Sequence, residues 1–314
     1  MDYTELGKTG LRVSRFAFGT LTMGPLQRNI GETVGSVVIR KALDAGINFL
    51  DTAQSYGTYG HVRRALEGFA GDVVIAGKSG AAEYDEMAEA VEEAKEQMGR
   101  EAIEIFLLHA LQREKDLNKR EGAWQCLLDM KKKGIVKAVG LSTHNLDIVD
   151  IVSTWPEVDV IHPIFNKLNF GLINVDNKNP ETIIGEAYKR GIGVYAMKPL
   201  AGGHLYKDVV SSLRYVFDFP YLHAVAVGML TEHELNVNLK IYHNQDVDAE
   251  ELSAAGGGKR MFVVRFCKGC GNCLEACTHD ALSMVDEKAY IEHSKCVLCG
   301  YCRKECTHSM IRVI

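Results

Sequence analysis

The chain predicts an α/β protein: a (β/α)8 TIM barrel opened by an N-terminal hairpin and followed, across a linker, by a small cysteine-rich α+β domain. Three observations carry this prediction. Eight apolar runs of strand length recur before residue 230, segments of helical period stand between them, and eight of the nine cysteines lie beyond residue 260. Continuous apolar strands alternating with helices describe a parallel sheet with covered faces, and eight such units in about 250 residues describe a closed barrel better than an open sheet.

The elements follow in order. The first sixteen residues, with Lys8-Thr9-Gly10 as turn, read as a hairpin able to plug the bottom of the barrel. Strands are expected at 15–20 (RFAFGT), 47–51 (INFLD), 73–78 (VVIAGK), 103–109 (IEIFLLH), 136–142 (VKAVGLS), 158–163 (VDVIHP), 192–198 (IGVYAMK) and 222–228 (LHAVAVG). Between them TVGSVVIRKALDAG, DEMAEAVEEAKEQMG, AWQCLLDMKKKG and ETIIGEAYKRG carry apolar residues at helical spacing, and several close on a glycine suited to a left-handed C-cap. Cys126, inside one of these helices, reads as a small buried hydrophobe. The barrel is assigned to 1–242. Residues 243–260, HNQDVDAEELSAAGGGKR, are polar and then glycine-rich, the composition of a linker, and leave 261–314 as the second domain.

Composition narrows the function. With 46% hydrophobic residues, 25% charged residues and a net charge of -5, the chain is of the soluble globular class. It has no basic stripe, and Lys131-Lys132-Lys133 falls at a helix C-terminus that favours cations, so no nucleic-acid partner is expected. No apolar run is long enough to span a bilayer and MDYTELGKTG lacks the order of a signal peptide, so the sequence reads as cytoplasmic with no membrane partner.

The cysteines form two copies of C-x2-C-x2-C-x3-C, at Cys267, Cys270, Cys273, Cys277 and at Cys296, Cys299, Cys302, Cys306. A reducing compartment disfavours disulfides, and a zinc site would use four local ligands. Three close cysteines plus a more distant fourth resemble the bacterial ferredoxins, in which the fourth cysteine serves the other cluster. That resemblance implies two [4Fe-4S] clusters, one on Cys267, Cys270, Cys273 and Cys306, the other on Cys296, Cys299, Cys302 and Cys277. The repeat extends to ALSMV and SMIRVI, read as short strands beside the clusters, and to Gly271 and Gly300, where backbone passes close to a cluster. Thr278-His279 and Thr307-His308 stand where ferredoxins usually have proline. Thr opening the next turn is the preferred reading, and hydrogen bonds to cluster sulfur that tune the potential are the other.

Five barrel strands end on a polar residue after an apolar run: Asp51, Lys78, His109, Ser142 and Lys198. Each alone has an ordinary explanation as helix cap or rim residue, but in a barrel all five converge on the C-terminal face, where active sites lie. Asp51, Tyr56, Lys78 and His109, together with LGKTGLRVSRFAFGT, ALDAGINFLDTAQSYG, FLLHA, VGLSTHN and PLAGG, resemble the aldo-keto reductases over residues 1 to about 240. With the cysteine domain the chain resembles the ferredoxin-fused branch of that superfamily. The resemblance implies Tyr56 as general acid, Lys78 as its modulator, Asp51 as support for Lys78, and His109 as the donor that orients the substrate oxygen. The chemistry is intelligible: hydride addition to a carbonyl builds charge on oxygen, and a phenol, a poor acid at neutral pH, needs a neighbouring cation to release its proton.

The same resemblance implies NAD(H) or NADP(H), since no G-x-G-x-x-G follows a strand and barrels hold nucleotides at the loops after strands 7 and 8. The implied contacts are Gly19, Thr20, Ser142, Thr143, Lys198, Leu200, Gly202, Gly228, Thr231 and Asn238. His162 stands in place of the family's glutamine and Met197 in place of its stacking aromatic, changes that count against inferring tight nicotinamide binding. Glu234 stands near the position of a 2'-phosphate-binding arginine and favours NADH; Thr231-x-x-Glu234 also reads as a capping box. A flavin phosphate suits the same loops. The reading is an oxidoreductase for a carbonyl or quinone-like small molecule, exchanging electrons through the clusters with a ferredoxin or other electron-transfer protein. Two others stand beside it: a nicotinamide-independent, ferredoxin-fed and flavin-assisted one-electron reductase, and a non-catalytic electron-transfer scaffold, which would have no need of the tetrad. Exposed clusters would suit an anaerobic host.

Overall fold

The computed structural model describes residues 1–175, 178–254 and 260–313. Strands β1 (Tyr3–Glu5) and β2 (Arg12–Ser14) form an antiparallel hairpin. Eight parallel strands then close on themselves: β3 (Phe16–Gly19), β4 (Phe49–Asp51), β5 (Val74–Ser79), β6 (Ile103–Leu111), β7 (Val136–Thr143), β8 (Val160–Pro163), β9 (Gly193–Ala196) and β10 (Ala224–Gly228), with β10 pairing back onto β3. Leu6, Leu11 and Val13 of the hairpin pack into one buried cluster with Phe49, Val74 and Ile105 of the barrel interior. The hairpin therefore closes the bottom of the barrel, as the sequence predicts.

The two-residue period of a strand decides what reaches the mouth. Phe49, Ala76, Leu107, Ala138, Val160 and Tyr195 all belong to the interior cluster. Two residues on from the first three stand Asp51, Lys78 and His109, and His162 follows Val160 in the same way. The polar side chains thus continue interior rows upward. In β7 the row passes through Gly140, where a Cβ would lie 1.7 Å from the Val160 carbonyl oxygen, so that no side chain fits between β7 and β8.

Helices clothe the barrel, among them Glu32–Asp44, Tyr84–Met98, Glu121–Lys132, Pro180–Lys189 and Glu232–Tyr242. Their starts follow local chemistry: Asn145 and Asn179 accept from Asp147 and Thr182 backbone N–H, and Thr231 accepts from Glu234. Cys126 is fully buried. The stretch 243–260 carries a short helix, Ala249–Ala254, tied to the last barrel helix by the Lys240–Glu251 ion pair and by His233 Nε2 on the Glu251 carbonyl at 2.9 Å. Its three consecutive glycines lie outside the described residues. Among the described residues no helix is long and apolar enough to cross a membrane.

The C-terminal domain pairs β11 (Met261–Val263) with β14 (Ile311–Val313) and β12 (Leu282–Val285) with β13 (Lys288–Ile291), around short helices at Asn272–Glu275 and Tyr301–Lys304. Gly271 and Gly300 are the left-handed N-caps of those two helices, which preserves the internal repeat. The domain sits on the mouth of the barrel. Gln27 Nε2 donates to the Leu298 carbonyl at 2.8 Å, Lys198 Nζ to the Val297 carbonyl at 3.2 Å, and His204 Nε2 to the Cys296 carbonyl at 2.9 Å.

Candidate active site

Asp51, at the end of β4, is the hub of the mouth. Lys78 Nζ lies 2.6 Å from Asp51 Oδ1 and 2.7 Å from the Thr52 carbonyl oxygen, and the Tyr195 hydroxyl donates to the same Oδ1 at 2.9 Å. Lys78 is fully buried and Asp51 nearly so. Burial pulls the Lys78 ammonium below its ordinary pKa, while the Asp51 charge and hydrogen bond pull it back. The ammonium stands 5.0 Å from the centre of the Tyr56 ring. Burial, and after it the Asp51 charge, hold the Tyr56 phenol well above its ordinary value, so the group stays protonated. Lys78 thus spends its charge on Asp51 in this state rather than on a phenolate.

His109, two residues past Leu107, meets Tyr56 edge-on with ring centres 5.4 Å apart. Arg120 donates to the His109 carbonyl at 2.6 Å and fixes the backbone that carries it. Burial first, then the Lys78 charge, holds the imidazole well below its ordinary pKa and therefore neutral. A neutral imidazole and a protonated phenol each have one hydrogen to donate; here the His109 ring nitrogens lie 3.1 Å from the Tyr301 hydroxyl and 3.5 Å from the Ser55 hydroxyl.

The tetrad opens into a cavity that runs across the loops after β9 and β10. Gly19, Ser142, His162, Met197, Lys198, Leu200, Gly202, Gly228 and Asn238 line it together with Asp51, Tyr56 and His109. Thr20, Thr143 and Thr231 lie off it. Thr20 instead bonds the Asp51 carbonyl at 3.1 Å and Thr58 at 2.8 Å, Thr143 caps the Leu111 carbonyl, and Thr231 caps its helix. Ser142 accepts from the Ala110 backbone N–H at 2.9 Å, steadying a left-handed residue where β6 bulges. Glu234 faces the far end of the cavity and takes the Leu230 backbone N–H, one residue earlier than a standard capping box would.

Two further positions depart from the sequence reading. Lys198 lies beyond the end of β9, in left-handed conformation with φ 56°, and its ammonium holds the C-terminal domain. Gly202 also has positive φ, and a Cβ there would stand 2.5 Å from the Val297 carbonyl oxygen. The close backbone approach at Gly202 is made by the C-terminal domain.

Cys267, Cys270, Cys273 and Cys306 bound one small cavity, and Cys277, Cys296, Cys299 and Cys302 bound another. The fourth cysteine of each motif therefore crosses to the other quartet. Backbone N–H groups of Ala281 and Met310 lie 3.3 and 3.2 Å from the sulfurs of Cys277 and Cys306. The crossed sets of four cysteines are the ligand sets of the two-cluster ferredoxin pattern. No sulfur bonds to His279: its Nδ1 shares a hydrogen bond with the Thr278 hydroxyl at 3.1 Å, and its Nε2 donates to the Gly171 carbonyl at 3.1 Å, beside His144 at 3.3 Å, and fastens the domain to the barrel. Cys299 also lines the large cavity, facing the tetrad.

Comparison with known proteins decides the family. The family model described as aldo/keto reductase family matches residues 15–220. The chain belongs to the aldo/keto reductase family. A 4Fe-4S dicluster domain model matches residues 266–310, so this reductase-family barrel carries a fused iron-sulfur domain. L-galactose dehydrogenase of Arabidopsis thaliana is 26% identical over 217 residues, 65% of this chain and 67% of that one. L-glyceraldehyde 3-phosphate reductase of Escherichia coli is 25% identical over 236 residues, 65% of this chain and 63% of that one. The chain thus spans about two thirds of the length of these curated relatives. The holo form of an aldo-keto reductase from Bacillus halodurans shares the fold, with a TM-score of 0.65 at 19% identity over 81% of this chain and 95% of that one.

Tyr195 and Tyr301 are among the site neighbours that the sequence reading missed. Tyr195 could have been found, because it precedes Met197 by one period on an inward row. Its ring stacks on His162 at 3.9 Å, and His162 Nδ1 donates to its carbonyl at 2.7 Å. Burial first, against the pull of Asp51, lowers His162 to about 4. His223, whose Nδ1 accepts the Val194 N–H at 3.0 Å, is lowered by burial to about 4 as well. Both depressed values mean that stability is full above the unfolded histidine pKa of about 6.5 and is lost as pH falls from there towards 4. The unfolding free energy from urea titration is expected to fall between pH 7.5 and pH 5, by ~1.4 kcal/mol per pH unit below that value for each histidine. The slope should lessen in His223→Gln, and a flat profile would contradict these assignments.

Proposed function

We propose that the protein is an oxidoreductase for a small carbonyl or quinone-like compound, with Tyr56 giving the proton, Lys78 and Asp51 tuning it, and His109 orienting the substrate oxygen. The observation that carries the reading is one shared cavity: Tyr56, His109 and Asp51 line it from the barrel, and Cys299, a ligand of the inner quartet, lines it from the fused domain. When bound, the clusters supply electrons one at a time, whereas a nicotinamide supplies a hydride. The residues do the rest. Tyr56 and His109 hold one oxygen between two donors, Arg120 fixes His109, and the Asp51–Lys78 pair keeps a compensated charge behind the phenol. The two relatives named above act on L-galactose and on L-glyceraldehyde 3-phosphate, which supports a small oxygenated carbonyl as substrate class.

The outer quartet supports exchange with a ferredoxin or similar partner. Cys270 is exposed, and Phe266, next to Cys267, is 64% exposed. The groove along the strand 9 and 10 loops supports NAD(H) or NADP(H), with a flavin as the other occupant of that shape. Glu234 at its far end would repel a 2'-phosphate, so NADPH is expected to bind about tenfold more weakly than NADH, a difference of ~1.4 kcal/mol. One observation favours the nicotinamide-independent reading: Lys198 and Gly202, both in the loop that would cradle a dinucleotide, are engaged by Val297.

The test is anaerobic. Oxidised protein receives NADH, or NADPH in a second sample, and the visible cluster absorbance is followed with dithionite as control. Bleaching by NADH, and less readily by NADPH, is the expected result. Bleaching by dithionite alone would move the ferredoxin-fed reading ahead.

A further inference from the structure

Tyr301 belongs to the fused domain, between Cys299 and Cys302, yet its hydroxyl shares a hydrogen bond with His109 Nε2 at 3.1 Å. Its ring meets His109 edge-on at 5.9 Å, as that of Tyr56 does at 5.4 Å. The imidazole thus contacts two phenols, one from each domain. Tyr301 also lines two cavities at once. One is the groove along the strand 9 and 10 loops; the other is an open basin bordered by Ser55, Ser79, Arg120 and Arg303. His109, Ala110 and Tyr301 are the residues common to both. The His109–Tyr301 contact is therefore a partition between the groove and the basin.

The partition is anchored. Arg303 of the same short helix donates to the Gln27 carbonyl, and Gln27 donates back to Leu298. On the other side, Arg120 holds the His109 carbonyl. The backbone that carries each ring is thus held, and the two rings meet edge-on across the seam.

We propose that Tyr301 is a positioning and specificity residue that the iron-sulfur domain lends to the barrel: its hydroxyl holds the place of the substrate oxygen on His109, and its ring limits the size of what enters from the basin. The inference rests on the carbonyl reading of the tetrad. An incoming carbonyl oxygen takes the His109 hydrogen bond from Tyr301 and comes to lie between Tyr56 and His109. Tyr301→Phe removes the competing hydroxyl and keeps the wall, whereas Tyr301→Ala joins the two cavities.

The experiment measures binding without turnover. Tyr56→Phe protein with full cluster content, and the same protein carrying Tyr301→Phe or Tyr301→Ala, are titrated with 4-nitrobenzaldehyde and with the larger 2-naphthaldehyde by calorimetry, with iron and sulfide assayed in each. Tyr301→Phe should bind the small aldehyde roughly three- to tenfold more tightly, the range for one neutral hydrogen bond released. Tyr301→Ala should raise the affinity for the larger aldehyde relative to the smaller by about tenfold. A purely structural Tyr301 would lower cluster content and leave that ratio unmoved, which overturns the proposal. Equal affinities in all three proteins also overturn it while leaving the carbonyl reading in place. Binding to none of them, in protein with intact clusters, removes the carbonyl reading and this inference with it.

Discussion

Lys78→Met will abolish measurable aldehyde reduction and will also weaken the fold, and the two losses have separate causes. Lys78 is fully buried and its ammonium is the cation at 2.6 Å from Asp51. Removing it leaves Asp51 with the Tyr195 hydroxyl and a distant His162 at 3.5 Å, which is neutral. A buried carboxylate stripped of its partner costs about 3–5 kcal/mol. The denaturation midpoint should fall accordingly, and it should recover in the double variant Asp51→Leu/Lys78→Met, because replacing both charges removes the desolvation penalty together with the attraction. Activity should not recover. Tyr56 keeps its phenol in both variants, but no cation stands by its ring, and loss of assisted proton transfer costs about 10^2- to 10^4-fold. The measurements are a urea midpoint and kcat/KM for an aldehyde with NADH or dithionite as reductant. Turnover that survives in the double variant would show that the tetrad is only a structural ion pair.

The reason so much of this site is legible in the sequence is that β-strand geometry is simple. A run such as IEIFLLH needs a parallel neighbour on each side, and once it has them the two-residue period places His109 above Leu107 on the interior row. Asp51, Lys78 and His162 follow from the same arithmetic. The cysteine quartets are legible because a cubane's ligand spacing is local, apart from the crossing of Cys277 and Cys306, which the ferredoxin pattern supplies. What was not legible lies between the two domains. Nothing in the PLAGG loop indicates that the carbonyl of Val297, about a hundred residues later, meets Gly202 and Lys198. Nothing in CVLCGYC distinguishes a tyrosine that spaces two cysteines from one that reaches His109. His279 shows the same limit. A residue after a cluster ligand invites a reading in terms of the cluster, but its Nε2 reaches the Gly171 carbonyl of the barrel. Docking of preformed surfaces leaves no periodic trace in a sequence, so such residues are found only when both surfaces are seen.

Cys277→Ala and Cys270→Ala form the other informative pair. By position in the chain both belong to the first cysteine motif, but Cys277 lines the inner cavity with Cys296, Cys299 and Cys302, and Cys270 lines the outer one. Each variant should lose about four of about eight iron atoms, one cubane's worth. The consequences for the groove should differ. The inner quartet brackets the segment 296–302, whose carbonyls at Cys296, Val297 and Leu298 take hydrogen bonds from His204, Lys198 and Gln27, and whose Tyr301 meets His109. Without its ligand shell that segment loses the constraint that aims it, so Cys277→Ala should weaken aldehyde binding to the groove at least about tenfold and sharpen the protein's sensitivity to proteolysis near residue 300. Cys270 is exposed and lies on the far quartet, and Cys270→Ala should leave aldehyde affinity within about twofold. Iron and sulfide assays with calorimetric binding on the same samples separate the outcomes. If Cys277→Ala spared the groove and Cys270→Ala disturbed it, the crossing of the fourth cysteines would be wrong. If neither disturbed it, the inner quartet would have no part in shaping the site, and the shared cavity would cease to be evidence that cluster and tetrad work together.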